Sequence, residues 1–243
     1  MPHLTGMDGT AVGTAAFEST ATAKHQVGCK ARSDDGREFT YVKAGASALV
    51  AGNAIQSRIQ DTDHDDIAVR ATAAGATSLL ITAGSGGGAL DVNEYSMGFA
   101  VIDTTPGEGY IYRITEHAAI SASANGALTL DDEDAIQIAL TTGSKVTLVN
   151  NPYDEVIQAP VTTATGVCVG GCIYPITAAY FGWIQNYGVG AALIAGTPAN
   201  GQPVTNVSSV AGSLAVHSAE LPTVAEMLVT GRDGKILPVF WLR

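Results

Sequence analysis

The stretch from Ala179 to Val204 sets the tightest limit on what this chain can fold into. Tyr180, Phe181, Trp183, Ile184 and Tyr187 fall within eight residues of one another in a chain that is only 6% aromatic. Aromatic and β-branched side chains crowded in this way favour a pleated, half-buried surface. Gly182 stands between the rings, where a strand glycine marks a bulge or a close backbone approach. Beyond Gly188, an Ala191-Ala192-Leu193-Ile194 run leads to Gly196-Thr197-Pro198 and Asn200-Gly201. Asn and Gly tolerate positive φ and Pro fixes its own, so these are turn residues. The segment predicts strand, turn, strand, turn.

The rest of the chain repeats this grammar of short apolar runs between turn residues. Arg37 to Asn53 holds a period-two run, Glu38-Phe39-Thr40-Tyr41-Val42-Lys43, then Gly45, then Leu49-Val50-Ala51-Gly52. Phe39-x-Tyr41-Val42 parallels Phe181-x-Trp183-Ile184, which a duplicated strand unit or a shared strand preference explains equally. Thr77 to Thr82, Gly98 to Ile102, Tyr110 to Thr115 and Val146 to Val149 are further strands. Asn150-Asn151-Pro152-Tyr153 is the clearest internal boundary. The tail predicts a hairpin, Ala225 to Thr230 and Ile236 to Leu242 around Gly231-Arg232-Asp233-Gly234, with Pro238 keeping the last strand at an edge or bulge. One helix is expected, Asp131 to Gly143: its first-turn acids complement the dipole, Ile136 and Leu140 share a face, and Gly143 caps the end. A strand is the second choice there, because Ala135 to Leu140 also alternates. The expected fold is mainly β, a β-barrel or β-sandwich of short antiparallel strands with one or two short helices. The expected division is an extended N-terminal arm over 1–36, a β-rich domain over 37–149, and a β-barrel or sandwich domain over 150–243.

Charge and cysteine usage narrow the function. The formal net charge is −11, which repels phosphate backbones and anionic lipid, so neither nucleic acid nor membrane is an expected partner. No apolar run approaches the ~20 residues of a membrane-spanning helix, and the start at Met1 has no basic segment, so a soluble chain made in a cytosol is expected. Cys29, Cys168 and Cys172 are an odd number, as for reduced thiols. Charged residues are only 14% of the chain against roughly 25% in ordinary soluble domains. A mild surface of small residues suits a protein packed against others.

Four constellations resemble sites, and each lacks a part. Cys168 and Cys172 have no further Cys or His nearby to complete four zinc ligands. Asp61-Thr62-Asp63-His64-Asp65-Asp66 has alternating acids, but Asp66 stands where a calcium loop needs glycine and Thr72 where it needs a closing Glu. A solvated acidic turn is the expectation. Gly84, Gly86 and Ala89 after a strand, with Asp103 ending the next one, imitate a dinucleotide fingerprint, but only Ala89 to Met97 is left for the crossover helix. His3, His25, His64, His117 and His217 are scattered, and no nucleophile elbow precedes a helix. No catalytic residue, cofactor or metal is expected, and the chain is not expected to be an enzyme.

From Asn151-Pro152-Tyr153 onward the succession Tyr180-Phe181-Gly182-Trp183-Ile184-Gln185-Asn186-Tyr187-Gly188, Leu193-Ile194-Ala195-Gly196, Asn200-Gly201-Gln202-Pro203-Val204, Val210-Ala211-Gly212 and a closing hydrophobic hairpin resembles the cement, or decoration, proteins of tailed-bacteriophage heads. The usual strand there is of Trp-Val-Gln-Thr type, which Trp183-Ile184-Gln185-Asn186 varies at two positions. The resemblance implies a β-rich, non-catalytic virion protein clamped on the outside of the major capsid protein lattice, as a homotrimer at local three-fold positions. Lattice contacts are then expected in the Met1 to Gly36 arm and in loops such as Gly84 to Gly88. Tyr180, Tyr187 and Trp241 are the candidate trimer-interface residues, since aromatics are enriched in interface cores. The competing expectations are a glycan-binding or adhesion module using exposed Tyr and Trp, and a nucleotide-binding enzyme using Gly84 to Asp103.

Overall fold

The computed structural model describes residues 3–6, 11–218 and 220–242. It is mainly β, with antiparallel sheets, a closed six-stranded barrel and one three-residue 3-10 turn, Thr62–His64. Two compact units divide the chain, and the division differs from the expected one. Met1–Ile59 and Pro152–Arg243 together make a sheet unit, while Gln60–Asn151 is an insertion within it. The boundary at Asn151-Pro152 is where the turn residues placed it; the outgoing boundary at Ile59-Gln60 has no comparable signal.

The sheet unit is organised on the strand Phe181–Ile194, fourteen residues long. The turn expected near Gly188 is instead a bulge inside this strand. Gly188 has φ +87, and the register slips between Gln185 and Tyr187. The Gln185 side chain makes the irregularity tolerable by donating from Nε2 to the Tyr187 carbonyl at 3.0 Å and the Val189 carbonyl at 2.9 Å. On one side of the bulge the strand pairs with Glu38–Lys43, Trp183 opposite Tyr41. On the other it pairs with Lys235–Leu242 over eight residues. The two aromatic strands with similar sequences are therefore hydrogen-bonded neighbours. Their rings share a core: Tyr41 lies 5.0 Å from Trp183 edge to face and 6.1 Å from Phe181 in a stack.

The expected arm, where it is described, belongs to the sheet. His3–Gly6 pairs with Ala11–Ala15 and with Lys30–Arg32, which pairs with Glu38–Lys43. Leu4 is buried beside Ala31, Phe39 and Trp183. Met1, Pro2 and residues 7–10 lie outside the described residues. A Gly/Thr/Ala-rich segment joins a sheet through its backbone, so its side chains show no period. The C-terminal hairpin is as expected, Ala225–Met227 against Lys235–Leu242. Lys235–Leu242 is not an edge strand, however, because it lies between Ala225–Met227 and Phe181–Ile194. Pro238 sits just past the last pair with Ala225–Met227, Met227 with Val239, where no partner needs its missing N–H.

The inserted unit is a barrel that closes in the order Ile111–His117, Asn125–Leu130, Ser78–Thr82, Ile67–Val69, Lys145–Val149, Phe99–Thr104. Alternation fills it: Leu79, Ile81, Ala100, Ile102, Tyr112, Leu128, Val146 and Leu148 point inward. Closure removes the unpaired edges that an open sheet exposes. The helix expected over Asp131 to Gly143 is a run of turns. Asp131 accepts from the Glu133 amide through its carboxylate at 3.2 Å and from the Asp134 amide through its carbonyl at 2.8 Å. Short acidic side chains here compete for backbone donors and stop helix from starting. Ile136 and Leu140 still reach the core, the latter bridged to Thr72.

Candidate functional site

The aromatic candidates separate on burial. Trp241 is 1% exposed and belongs to the sheet unit's core, which corrects its assignment to a surface contact. Its ring fills the space left by two glycines: a Cβ on Gly171 would stand 2.3 Å from Trp241 Cζ2, and one on Gly190 2.8 Å from Cδ1. Tyr180 is half-buried against the cluster of Val42, Ile176 and Ile184. Tyr187 alone of the three is freely presented, at 41% exposure, with its ring edge to face on Phe240 at 5.4 Å.

Tyr187 begins an apolar stripe that follows from register. In the paired strands Phe181–Ile194 and Lys235–Leu242, Tyr187 faces Leu242, Val189 faces Phe240, Ala191 faces Pro238 and Leu193 faces Ile236. The alternate residues Ala192, Ile194, Leu237, Val239 and Trp241 fill the core beneath. Val189 and Ile236 are each 54% exposed and Leu242 42%. The stripe itself carries no charge; Glu38, opposite Tyr187, and Glu226, opposite Phe240, flank it on the neighbouring strands. A contiguous exposed apolar face rimmed by polar groups is the surface signature of an interaction site.

The Gly84 to Asp103 segment takes another form. Residues 92–97 are turns, and Leu90 bridges to Ile120, so no helix follows the glycines. Their smallness serves the acidic turn beside them: a Cβ on Gly87 would stand 1.8 Å from Asp63 Oδ2, and one on Gly84 3.3 Å from the Asp63 carbonyl. Asp103 accepts from the Thr147 hydroxyl at 2.7 Å.

Within Asp61 to Asp66, Asp61 caps the 3-10 turn by accepting from the Asp63 amide at 2.9 Å. The Thr147 hydroxyl also lies against the Asp65 carboxylate, sharing its one proton between Asp65 and Asp103, and Lys145 Nζ lies 3.6 Å from Asp66. His64 is turned inward, 1% exposed, with Nδ1 at 2.5 Å from the Tyr95 hydroxyl and 3.9 Å from Asp61 Oδ2. Glu94 joins these two: one ligand-type atom from each of Asp61, His64 and Glu94 lies within 4.8 Å of the others. The sequence gives no hint of Glu94, thirty positions downstream, because no local spacing connects it to the turn.

The cysteine pair is inert packing. Cys168 and Cys172 are buried in one strand, and no disulfide is formed. Burial pushes the Cys172 thiol up to about 11, and it donates to the Tyr174 carbonyl at 3.0 Å.

An ionic cluster marks where the chain leaves and re-enters the sheet unit. Lys43 Nζ lies 3.1 Å from Glu155 and 3.8 Å from Asp154, and Arg58 lies 3.1 Å from Glu155. Burial raises the Asp154 carboxyl, with Lys43 opposing the shift.

Among the described residues no helix is long and apolar enough to cross a membrane. No protein-family model, curated protein or solved structure matches the chain.

Proposed function

We propose that this chain is a structural virion protein that binds the outside of the major capsid protein lattice and stabilises a phage head. The supporting observation is the exposed apolar stripe Tyr187 to Leu193 and Ile236 to Leu242, which lies in the segment that resembles cement proteins. Its occupant is the lattice rather than a second copy of the stripe. Stripe-to-stripe pairing brings Glu38 and Glu226 of two such chains together, whereas a lattice ridge with basic flanks complements them. Tyr187 therefore belongs to the lattice contact in this reading. A ligand that binds the assembled shell better than its free subunits stabilises the shell by mass action. Three copies acting together, as the resemblance implies, turn a shallow contact into a strong one through effective concentration.

The glycan-binding reading loses its main platform, because both Trp183 and Trp241 are buried. The dinucleotide reading loses the helix whose N-terminus would face the phosphates.

Co-sedimentation with purified unexpanded and expanded heads tests the proposal, with light scattering to give the solution mass. Binding to expanded heads is expected, and the double variant Val189→Asp/Ile236→Asp is expected to weaken it at least tenfold while remaining folded at the assay temperature by circular dichroism. Wild-type protein that ignores heads of either kind overturns the capsid role. A double variant that binds as wild type does overturns the stripe as the contact.

A further inference from the structure

We propose that Gln185 is the positioning residue of the exposed apolar stripe, holding the bulge that turns Tyr187 and Val189 outward. In a regular strand Gln185, Tyr187 and Val189 would share one face. Here Gln185 shares its face with Gly190 instead: a Cβ on Gly190 would stand 2.8 Å from Gln185 Oε1 and 2.8 Å from Trp241 Nε1. The register slip between Gln185 and Tyr187 has therefore shifted the alternation of the strand by one residue. Without that shift, Tyr187 and Val189 would follow Gln185 to the Trp241 side, and Gly188 and Gly190 would face solvent in their place. Bulges re-aim side chains in this way next to functional sites.

One side-chain amide meets the needs of the bulge. Glu38, opposite Tyr187, is the last residue of its strand to pair with Phe181–Ile194. At and beyond that point Gln185 Nε2 donates to the carbonyls of Tyr187 at 3.0 Å and Val189 at 2.9 Å. These are the two stripe residues nearest the slip. Gln185 is 1% exposed, so water does not stand in for these bonds once they are lost. Ala191 and Leu193, farther along the ladder to Lys235–Leu242, are positioned by that pairing. The use of the Tyr187 end by a capsid rests on the function proposed above; the outward presentation of Tyr187 and Val189 does not.

Two substitutions separate hydrogen bonding from space filling. Gln185→Leu fills the site and donates to neither carbonyl. Gln185→Glu keeps the shape: ionised, it offers the carbonyls only acceptors, and protonated, it donates to one of them. Full-length proteins would be compared by NMR with an uncharged gadolinium chelate, whose relaxation enhancement reads how far each side chain is presented to solvent. The enhancement at the Val189 methyls and the Tyr187 ring should fall at least twofold in Gln185→Leu at pH 5 and pH 8.5. In Gln185→Glu it should fall at pH 8.5 and return toward the wild-type value at pH 5. Ile236, exposed on the partner strand, and buried Ala192 should keep their wild-type values throughout. Gln185→Leu should also bind expanded heads at least threefold more weakly.

Wild-type enhancement at Val189 and Tyr187 in both variants overturns the positioning role. So does a loss in Gln185→Glu that is the same at both pH values, which assigns Gln185 to packing, and so does a change at Ile236 and Ala192 as large as that at Val189, which assigns it to general stability. Unchanged head binding by Gln185→Leu despite a lost Val189 signal overturns its part in the contact. Wild type that ignores heads overturns the capsid reading alone, and the relaxation data then decide the role of Gln185.

Discussion

The two units of this chain solve the same problem, burying β-strand faces, in opposite ways. The barrel is one continuous stretch, Gln60–Asn151, closed on itself, with a balance of −10. The sheet unit is assembled from two stretches and stays open; with ten acidic and nine basic side chains it is almost neutral. Closure leaves the barrel no edge and no need of a partner, so its outward positions are free to carry repulsive charge. The open sheet keeps one apolar face across its two best-paired strands. Charge is concentrated on the closed unit and nearly balanced on the open one.

The sharpest way to break this comparison is to damage one core and watch the other. Trp241→Ala removes the largest side chain of the C-terminal cluster and should cost about 3–5 kcal/mol, with Leu128→Ala in the barrel costing about 2–5 kcal/mol. Calorimetry should show each variant lowering a different transition. A single transition that falls in both variants would mean that the units melt as one body. Gly171→Ala is the next test. The added Cβ meets the Trp241 ring at 2.3 Å, so overpacking should cost about 1–3 kcal/mol, read from urea unfolding. Alanine at Gly196, at φ +75 with nothing within 4 Å, carries backbone strain without overpacking, whereas Gly171 lies outside the positive-φ region, so the pair separates the two causes.

The smallest effect concerns Asp154. Its folded-state carboxyl is raised by burial, so the folded chain holds this proton more tightly than the unfolded chain does. Its contribution to stability therefore declines as pH climbs through the ordinary carboxylate range and past the raised value. Asp154→Asn removes the buried charge, and its stability relative to wild type should increase between about pH 4 and pH 7. A flat difference over that range would show that Lys43 offsets the burial completely.

What could be read from the sequence was local. The hairpin around Gly231 to Gly234 and the barrel strands at Thr77 to Thr82 and Tyr110 to Thr115 were legible, because turn residues and period-two alternation are written within ten residues. Gly188 misled because a bulge and a turn both ask for positive φ, and only the partner strand distinguishes them. The acids from Asp131 to Asp134 misled because helix caps and free-standing turns use the same side chains. The insertion itself was half legible, at Asn151-Pro152, since Ile59-Gln60 carries no turn chemistry. Trp241 went to the wrong surface because an aromatic facing a glycine-lined hollow looks, in sequence, like one facing a partner. Asp61 was legible as part of an acidic turn, and Glu94, which the structure brings within 4.8 Å of Asp61 and His64, was not, because no local spacing connects residues 61 and 94.

The insertion also orders events during synthesis. Glu38–Lys43 leaves the ribosome long before Phe181–Ile194, the strand it must pair with, and the whole barrel is made between them. Barrel contacts are complete once Val149 has emerged, so this unit can fold while the N-terminal sheet strands still wait for a partner. A folded barrel then holds Ile59 and Pro152 as two fixed exits. The later strand searches across a short effective loop instead of a flexible one of over a hundred residues, which reduces the entropic cost of closing the sheet.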